Sequence, residues 1–269
     1  MTASRESAES SILVAKDARG VATVTINRPH VRNAIDDKVI FALTDAFNKL
    51  GRDAEVRIIV LTGAGVAFSA GADLDWMRRM AAGSEAENFA SAKTISAMLR
   101  TLNELPKPTI ARVNGTAYAA GVGLVAACDI AIAAEEAMFS ISEVRIGLVP
   151  STIGPYVIGA IGSKAARHHF LAGEPFSAAE ANRLGLVQKV VSRTDLDGAI
   201  DSMALALLAG GPQSQSRAKR LIAELADRPV DDAVEALTAR TIAEARASPE
   251  GREGIAAFLE KRKPAWRLR

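Results

Sequence analysis

The alternation of strand-like and helix-like segments is the feature that most constrains the fold of this chain. Up to about residue 190, short apolar or alternating runs are followed by longer stretches in which apolar residues recur with helical spacing. Examples are the strand pattern from Val21 to Ile26, the helix pattern that Asp36 and Asp37 open, and the apolar run from Arg57 to Gly63. This alternation predicts an α/β core.

The chain beyond Asp195 shows only helical patterns, with apolar residues such as Met203, Leu207 and Leu221. Two interpretations fit this segment: an oligomerisation element, or helices that complete the same domain. We divide the sequence into a flexible N-terminal tail (residues 1–10), a core domain (11–195) and a helical C-terminal oligomerisation region (196–269).

The composition argues against several classes of function. Apolar residues make up 49% of the 269 positions and charged residues 24%, as in a soluble globular protein. The net charge of +2 is too small to indicate binding to nucleic acid. One cysteine and three scattered histidines argue against a disulfide framework and against a metal site built on these residues.

The N-terminus and the apolar segments indicate where in the cell the protein is located. Residues 1–10 contain no apolar segment of a secretory signal, and Glu6 and Glu9 argue against a mitochondrial transit peptide. The longest apolar run, from Leu124 to Ala134, is interrupted by Asp129 and is shorter than the roughly 20 residues of a membrane span. We therefore expect a cytoplasmic protein that binds neither membrane nor nucleic acid.

Two turns rich in glycine and alanine are candidate sites for a developing negative charge. One extends from Phe68 to Asp73 and the other from Asn114 to Gly123, and each follows a strand pattern and leads into a helix pattern. Glycine permits tight turns, and free N–H groups at a helix start favour an anion. Taken alone, an ordinary strand-to-helix loop explains each turn at least as well.

The second turn also fits a dinucleotide-binding fingerprint. Gly121 to Ala126 matches G-x-G-x-x-G/A, and Glu143 follows at about the spacing of that fold's acidic residue. The fingerprint belongs in a tight turn directly after a strand, whereas the segment from Asn114 to Ala120 intervenes here. We therefore discount a nucleotide site.

Glu143 is the candidate proton carrier. It precedes Ile146, Leu148 and Val149, and burial among apolar side chains raises the pKa of a carboxylate, which suits proton transfer. The alternative is a carboxylate at a helix start, with Ser142 as the cap. Two backbone N–H donors and one carboxylate would suffice for proton chemistry next to a thioester carbonyl.

In their order along the chain, these motifs resemble the enoyl-CoA hydratase/isomerase (crotonase) family, over about Ile26 to Lys263. The motifs that carry the resemblance are Asn27-Arg28-Pro29, Ile59 to Gly63, Phe68 to Leu74, Asn114-Gly115, Cys128-Asp129-Ile130, Phe139 with Glu143, Gly147 to Pro150, and Phe258 to Arg262. The resemblance implies an α/β fold, a crotonase-like spiral of ββα units with a helical C-terminal trimerisation region. It also implies a homotrimer, or a hexamer built from two trimers.

The resemblance implies roles for particular residues. The backbone N–H groups of Ala72 and Ala120 would form an oxyanion hole, and Glu143 would move protons. Coenzyme A would enter as part of the substrate, with no separate cofactor and no metal. It would contact two loops of one subunit and the C-terminal helices of a neighbouring subunit. The residues implied in this binding are Arg32, Ala34, Ala70, Asp73 and Leu74 from the loops, and Phe258 and Lys261 from the neighbour.

Position 123 leaves three hypotheses open, because two-carboxylate hydratases of this family carry a glutamate where Gly123 stands. The first is a hydratase that adds water across a 2-enoyl-CoA with one glutamate, in fatty acid metabolism. The surroundings of Gly123 and Glu143 also resemble bacterial methylglutaconyl-CoA hydratases, which would place it in leucine degradation. The alternatives are a Δ3-Δ2 enoyl-CoA isomerase and a non-catalytic acyl-CoA-binding protein. An acidic acyl tail would need a cationic partner, for which the candidates are Arg78, Arg79 and Arg145.

Overall fold

Two β-sheets organise the computed structural model, which describes residues 10–267. Within that range the larger sheet has six strands, in the spatial order β1 (Ile12–Lys16), β2 (Val21–Ile26), β3 (Ile58–Gly63), β5 (Thr109–Val113), β7 (Ile130–Ala134) and β10 (Lys189–Val191). The smaller sheet, in the same part of the chain, has the order β4 (Ala67–Ser69), β6 (Thr116–Tyr118), β8 (Met138–Ser140) and β9 (Phe176–Ser177). The pairs β1–β2 and β8–β9 are antiparallel, and the other pairs are parallel.

Helices follow the strands and then fill the C-terminal part of the chain. Those of the described residues are α1 (Asp37–Arg52), α2 (Leu74–Ala82), α3 (Glu85–Asn103), α4 (Ala120–Ala127), α5 (Gly154–Ala172), α6 (Ala178–Leu184), α7 (Leu196–Leu208), α8 (Pro212–Leu225), α9 (Asp232–Ala247) and α10 (Pro249–Leu259). In this part of the chain no helix is both long and apolar enough to cross a membrane.

Three repeats build the core. In each, a strand of the larger sheet is followed by a strand of the smaller sheet and then by a helix, as in β3-β4-α2 and β5-β6-α4. The third repeat, β7-β8, reaches α5 through a short 3-10 helix, Glu143–Ile146. The prediction of an α/β fold built from ββα units is confirmed.

Helix α1 shows why these segments fold as they do. The Asp36 carboxylate accepts a hydrogen bond from the Val39 N–H at 2.9 Å, which satisfies a donor that the first turn leaves free. One face of the helix is buried against the sheet: Val39, Ile40, Leu43, Ala46, Phe47 and Leu50. These are the residues that the sequence pattern predicts for the buried face.

The helices after residue 195 pack in two different ways. Leu196, Ala199 and Ile200 of α7 lie against the outer face of the larger sheet and form a second apolar core with its strands. Helices α8 to α10 contact one another, and they bury few side chains, among them Val234 and Ala257. The domain boundary at residue 195 stays a prediction. Of the predicted N-terminal tail, residues 1–9 lie outside the described residues.

Candidate active site

The first candidate turn leads from β4 into α2 and leaves one N–H group free. Ile35 donates to the Gly71 carbonyl at 2.7 Å, and Asp73 donates to the Ile35 carbonyl at 2.9 Å. Successive N–H groups of an extended chain point to opposite sides, so the N–H of Ala72 points away from Ile35. Among residues 10–267 this N–H has no hydrogen-bond acceptor. It is available to a ligand.

The second candidate turn leaves another N–H free at the start of α4. Ala119 donates to the Ser140 carbonyl at 2.8 Å, and Gly123 is the first residue whose N–H bonds back within the turn, to the Ala119 carbonyl at 3.2 Å. The N–H of Ala120 therefore lacks an acceptor within the described part of the chain. The positive end of the helix dipole adds to its attraction for an anion.

The two turns are in direct contact. A Cβ built on Gly71 would lie 3.0 Å from the Tyr118 carbonyl oxygen and 3.1 Å from the Ala119 Cβ. A Cβ built on Gly121 would lie 2.8 Å from the Ser69 carbonyl oxygen. Glycine at positions 71 and 121 thus allows the two backbones to approach each other, and the two free N–H groups belong to adjacent turns.

Glu143 follows strand β8, whose last residue contacts the start of α4. Ser140, the last residue of that strand, accepts the hydrogen bond from Ala119, and Glu143 opens the 3-10 helix that follows. The Glu143 Oε2 atom is buried and has no hydrogen-bond partner within residues 10–267. Burial raises the pKa of this carboxyl, against a smaller opposing effect of its own backbone N–H. Such a group holds a proton more readily than an exposed glutamate.

The alternative role of Glu143, a capped helix-start carboxylate, agrees with its position at the start of a 3-10 helix, but not with the side-chain contacts. The Ser142 side chain makes no cap hydrogen bond. The Arg145 Nε donates instead to the carbonyl of Ala172 at 3.3 Å. The sequence-based expectation that burial raises the pKa of Glu143 agrees with the structure; its catalytic role stays a prediction.

The packing around Gly123 explains why this position carries no side chain. A Cβ built there would lie 2.9 Å from the Ile153 Cβ and closer still to its Cγ2, with a Leu99 methyl 3.6 Å away. Ile153 and Leu99 are fully buried, at 1% and 0% exposure. A second carboxylate has no space at this point of α4. Sequence analysis missed Ile153 as a site residue, because nothing in the residues around an isolated isoleucine before a helix indicates that it contacts Gly123.

The loops predicted to hold coenzyme A are tied to each other by Arg28. Its guanidinium contacts the Asp73 carboxylate at 3.0 Å and the Asp36 carboxylate at 3.3 Å, and donates to the Ala34 carbonyl at 2.7 Å. The buried Asn33 side chain donates to the carbonyls of Ala64 and Ala67 at 2.9 and 2.8 Å. These contacts fix the loop from Arg28 to Ala34 beside the first turn.

The individual loop residues differ in exposure. Arg32 and Leu74 are exposed, Ala70 is half-buried and Ala34 is buried. Asp73 caps α2 by accepting from the N–H groups of Asp75 and Trp76 at 2.9 and 3.2 Å. Burial opposes ionisation of Asp73, but these bonds and Arg28 outweigh it, and its pKa is lowered. Asp73 is thus a helix-start acid, and its part in binding coenzyme A stays a prediction.

Phe258 and Lys261 lie at the other end of the chain. Phe258 is the penultimate residue of α10, with 82% of its surface exposed, and Lys261 follows the helix in a left-handed conformation with φ 53°. Helix α10 packs on α8 and α9. Their predicted contact with coenzyme A in a neighbouring subunit stays a prediction.

The candidate cations for an acidic acyl tail already have partners. Arg78 and Arg79 form ion pairs with Asp75 and Asp37, and the Arg145 Nε bonds to a carbonyl as described above. Exposed ion pairs of this kind contribute about 0–1 kcal/mol, so a ligand can displace them. Within residues 10–267 no three His, Cys, Asp or Glu side chains converge as a metal site.

Comparison with known proteins agrees with this geometry. The family model for enoyl-CoA hydratase/isomerase matches residues 16–269. A Thermus thermophilus relative assigned as an enoyl-CoA hydratase is 36% identical over 244 residues, which cover 91% of this chain and 96% of the relative. The crystal structure of an enoyl-CoA hydratase from Shewanella pealeana superposes with a TM-score of 0.92 at 38% identity, over 95% of this chain and 96% of that one. An enoyl-CoA hydratase from Mycobacterium smegmatis gives a TM-score of 0.90 at 38% identity, over 95% and 98%.

The family model covers nearly the whole chain, and both solved structures share the fold of this chain at 38% identity. The two free N–H groups and Glu143, with its buried Oε2 atom, lie within the matched residues. This chain therefore belongs to the enoyl-CoA hydratase/isomerase family.

Proposed function

We propose that this enzyme adds water across the double bond of a 2-enoyl-CoA thioester with a single glutamate. The observation that carries the proposal is the Glu143 Oε2 atom, buried and without a partner in the described residues, three positions after Ser140, whose carbonyl holds the second of the two turns with free N–H groups. A buried carboxylate oxygen without a hydrogen bond is costly to the fold, and such groups occur where chemistry needs them.

The N–H groups of Ala72 and Ala120 would donate to the thioester oxygen. The Glu143 carboxylate would take a proton from water as the water oxygen bonds to Cβ, and the electrons of the double bond would move into an enolate. Glu143 would then return the proton to Cα, so that the elements of water are added and the enzyme is regenerated. Each N–H donor stabilises such an oxyanion by about 3 kcal/mol.

The packing of Ile153 on Gly123 supports one carboxylate for both proton transfers. The space beside Gly123 is filled by a buried side chain, and so Glu143 has no second acid facing it from α4. The same observation favours a second candidate function, the Δ3-Δ2 enoyl-CoA isomerase. There one carboxylate would move a proton between Cα and Cγ, without water. A non-catalytic acyl-CoA-binding protein is the third hypothesis, against which the unpaired Glu143 argues.

Coenzyme A would be bound as part of the substrate by Arg32, Ala34, Ala70, Asp73 and Leu74. Phe258 and Lys261 would reach it from a neighbouring subunit in a homotrimer or a hexamer. The exposed apolar surface of α10, with Phe258 at 82% and Leu259 at 72% exposure, supports an interface there. A cytoplasmic location stays a prediction.

The acyl group decides the pathway. A 3-methylglutaconyl group would place the enzyme in leucine degradation, and a plain enoyl chain would place it in fatty acid metabolism. For the acidic tail, Arg78, Arg79 or Arg145 would have to leave its present partner.

The test follows the absorbance of the conjugated enoyl thioester with purified protein. Crotonyl-CoA and 3-methylglutaconyl-CoA are offered side by side, and a 3-enoyl-CoA is offered separately. The Glu143→Gln variant is expected to lose at least about 100-fold in rate. The control Glu174→Gln neutralises an exposed carboxylate and is expected to retain full activity. Full activity of Glu143→Gln would reject the mechanism, and conjugation of the 3-enoyl-CoA without hydration would favour the isomerase.

A further inference from the structure

Ala119 has a backbone conformation that alanine rarely adopts. Its φ is 46° and its ψ is −114°, a region in which a Cβ is crowded and which glycine populates far more readily. Strain of this kind persists where the surrounding structure fixes it, and it collects at functional sites. The Ala119 N–H is fixed by the bond to the Ser140 carbonyl at 2.8 Å.

The strained residue sets the direction of one proposed oxyanion donor. The peptide that follows Ala119 carries the N–H of Ala120, so the ψ angle of Ala119 determines where that N–H points. Gly71, with φ 88°, precedes the other proposed donor, Ala72, in the same way. Each free N–H thus follows a residue with positive φ.

The methyl group of Ala119 joins these two residues. It lies 3.1 Å from the place that a Cβ on Gly71 would take, so it packs directly against the Gly71 backbone. The methyl therefore contacts the backbone that precedes one donor, and its own residue orients the other. Removing it would leave both N–H groups freer to turn.

We propose that Ala119 is a positioning residue, whose methyl group holds the Ala72 and Ala120 N–H groups in a fixed relation to each other. This inference rests on the proposed function in assigning those two N–H groups to the thioester oxygen. It concerns the contact between the two turns and not the proton transfers of Glu143.

The informative variant is Ala119→Gly, because glycine relieves the strain while it removes the contact. The melting temperature is expected to equal or exceed that of the wild type, whereas kcat falls by about 10-fold, which corresponds to about 1.4 kcal/mol of transition-state stabilisation. KM is expected to stay within about twofold, because the lost interaction strengthens in the transition state. Ala119→Ser keeps a Cβ and is expected to recover most of kcat.

The matched control is Asp227→Gly. Asp227 also has a positive φ, 58°, but it lies in an exposed turn after α8. Asp227→Gly relieves the backbone strain at that position in the same way, and it is expected to leave kcat unchanged. A wild-type kcat in Ala119→Gly would overturn the proposal, as would an equal loss in Ala119→Ser and Ala119→Gly, or a loss that accompanies a lower melting temperature.

A binding measurement separates this inference from the proposed function. A chromophoric, unreactive enoyl thioester, 4-dimethylaminocinnamoyl-CoA, shifts its absorbance to the red when donors polarise its carbonyl. The shift is expected in the wild type and is expected to shrink in Ala119→Gly at unchanged affinity. A red shift without turnover of any enoyl-CoA would reject the hydratase and the isomerase and keep the positioning role. An equal red shift in both proteins would reject the positioning role alone.

Discussion

A side chain at position 123 is expected to collide with Ile153, and a double-mutant cycle measures that collision. In Gly123→Ala the new Cβ would lie 2.9 Å from the Ile153 Cβ and closer to Cγ2, whereas ordinary contact begins at 3.4 Å. Ile153 is 1% exposed, so neighbouring atoms surround its side chain. One segment has to move by about 1 Å, and overpacking of this kind costs about 1–3 kcal/mol.

Helix propensity acts in the opposite direction. Alanine is more favourable than glycine inside a helix by about 1 kcal/mol, so Gly123→Ala alone is expected to lower the free energy of unfolding by only about 0–2 kcal/mol. In an Ile153→Gly background both clashing atoms, Cβ and Cγ2, are absent, and there Gly123→Ala is expected to raise the free energy of unfolding by about 1 kcal/mol. The change of sign between backgrounds is the expected signature of the contact.

The assay is urea unfolding, followed by circular dichroism, of the wild type, the two single variants and the double variant. Protein concentration is held constant, because association would shift the midpoint. We expect a coupling free energy of about 1–3 kcal/mol. Additivity within about 0.5 kcal/mol would refute the packing argument. The account of why α4 carries no second carboxylate would then lose its basis.

Three further predictions concern other parts of the site. Because burial raises the pKa of Glu143, kcat/KM of hydration should fall as the pH drops through that raised pKa, and Glu143→Gln should lack this pH dependence. The folded state favours the protonated carboxyl, so the free energy of unfolding should decrease as the pH rises from the ordinary pKa of 4.5 through the raised one. Glu143→Gln should therefore melt no lower than the wild type at about pH 7. Arg28→Met removes the guanidinium that joins Asp36 and Asp73, and chemical unfolding should show a loss of about 1–3 kcal/mol, with KM for the thioester rising more than kcat falls. Phe258→Asp should reduce the assembly mass in sedimentation if α10 lies in an interface, and an unchanged mass would contradict that placement.

Elements that depend on local periodicity could be predicted from the sequence. The buried face of α1 is that of its apolar pattern, because a helix that covers a sheet must turn that face inward. Strand boundaries depend on contacts outside the local pattern: β7 begins at Ile130, directly after Asp129, whose carboxylate accepts from the Thr109 N–H at 2.7 Å.

The features that distinguish this site from a generic loop could not be predicted in the same way. The contact of Ile153 with Gly123 joins residues thirty positions apart, and no periodicity encodes it. The conformation of Ala119 is hidden as well, since alanine ordinarily indicates a helix or a strand and not a positive φ. Both features arise from tertiary packing, which forces on a residue an environment that its neighbours in sequence do not suggest.

Glu143 is best recognised because several features that destabilise a fold are found in the same part of the structure. Four buried side-chain atoms lack partners within residues 10–267: those of Arg57, Ser91, Glu143 and His169. The His169 ring is accounted for by its stacking, and the Arg57 guanidinium still donates to the Gly210 carbonyl at 2.8 Å. Glu143 alone among these four is a carboxylate, and it follows the strand whose last carbonyl holds the strained Ala119. An unpaired acid, a strained turn and two free N–H groups each destabilise a fold, and their occurrence together is expected where the substrate supplies the missing partners.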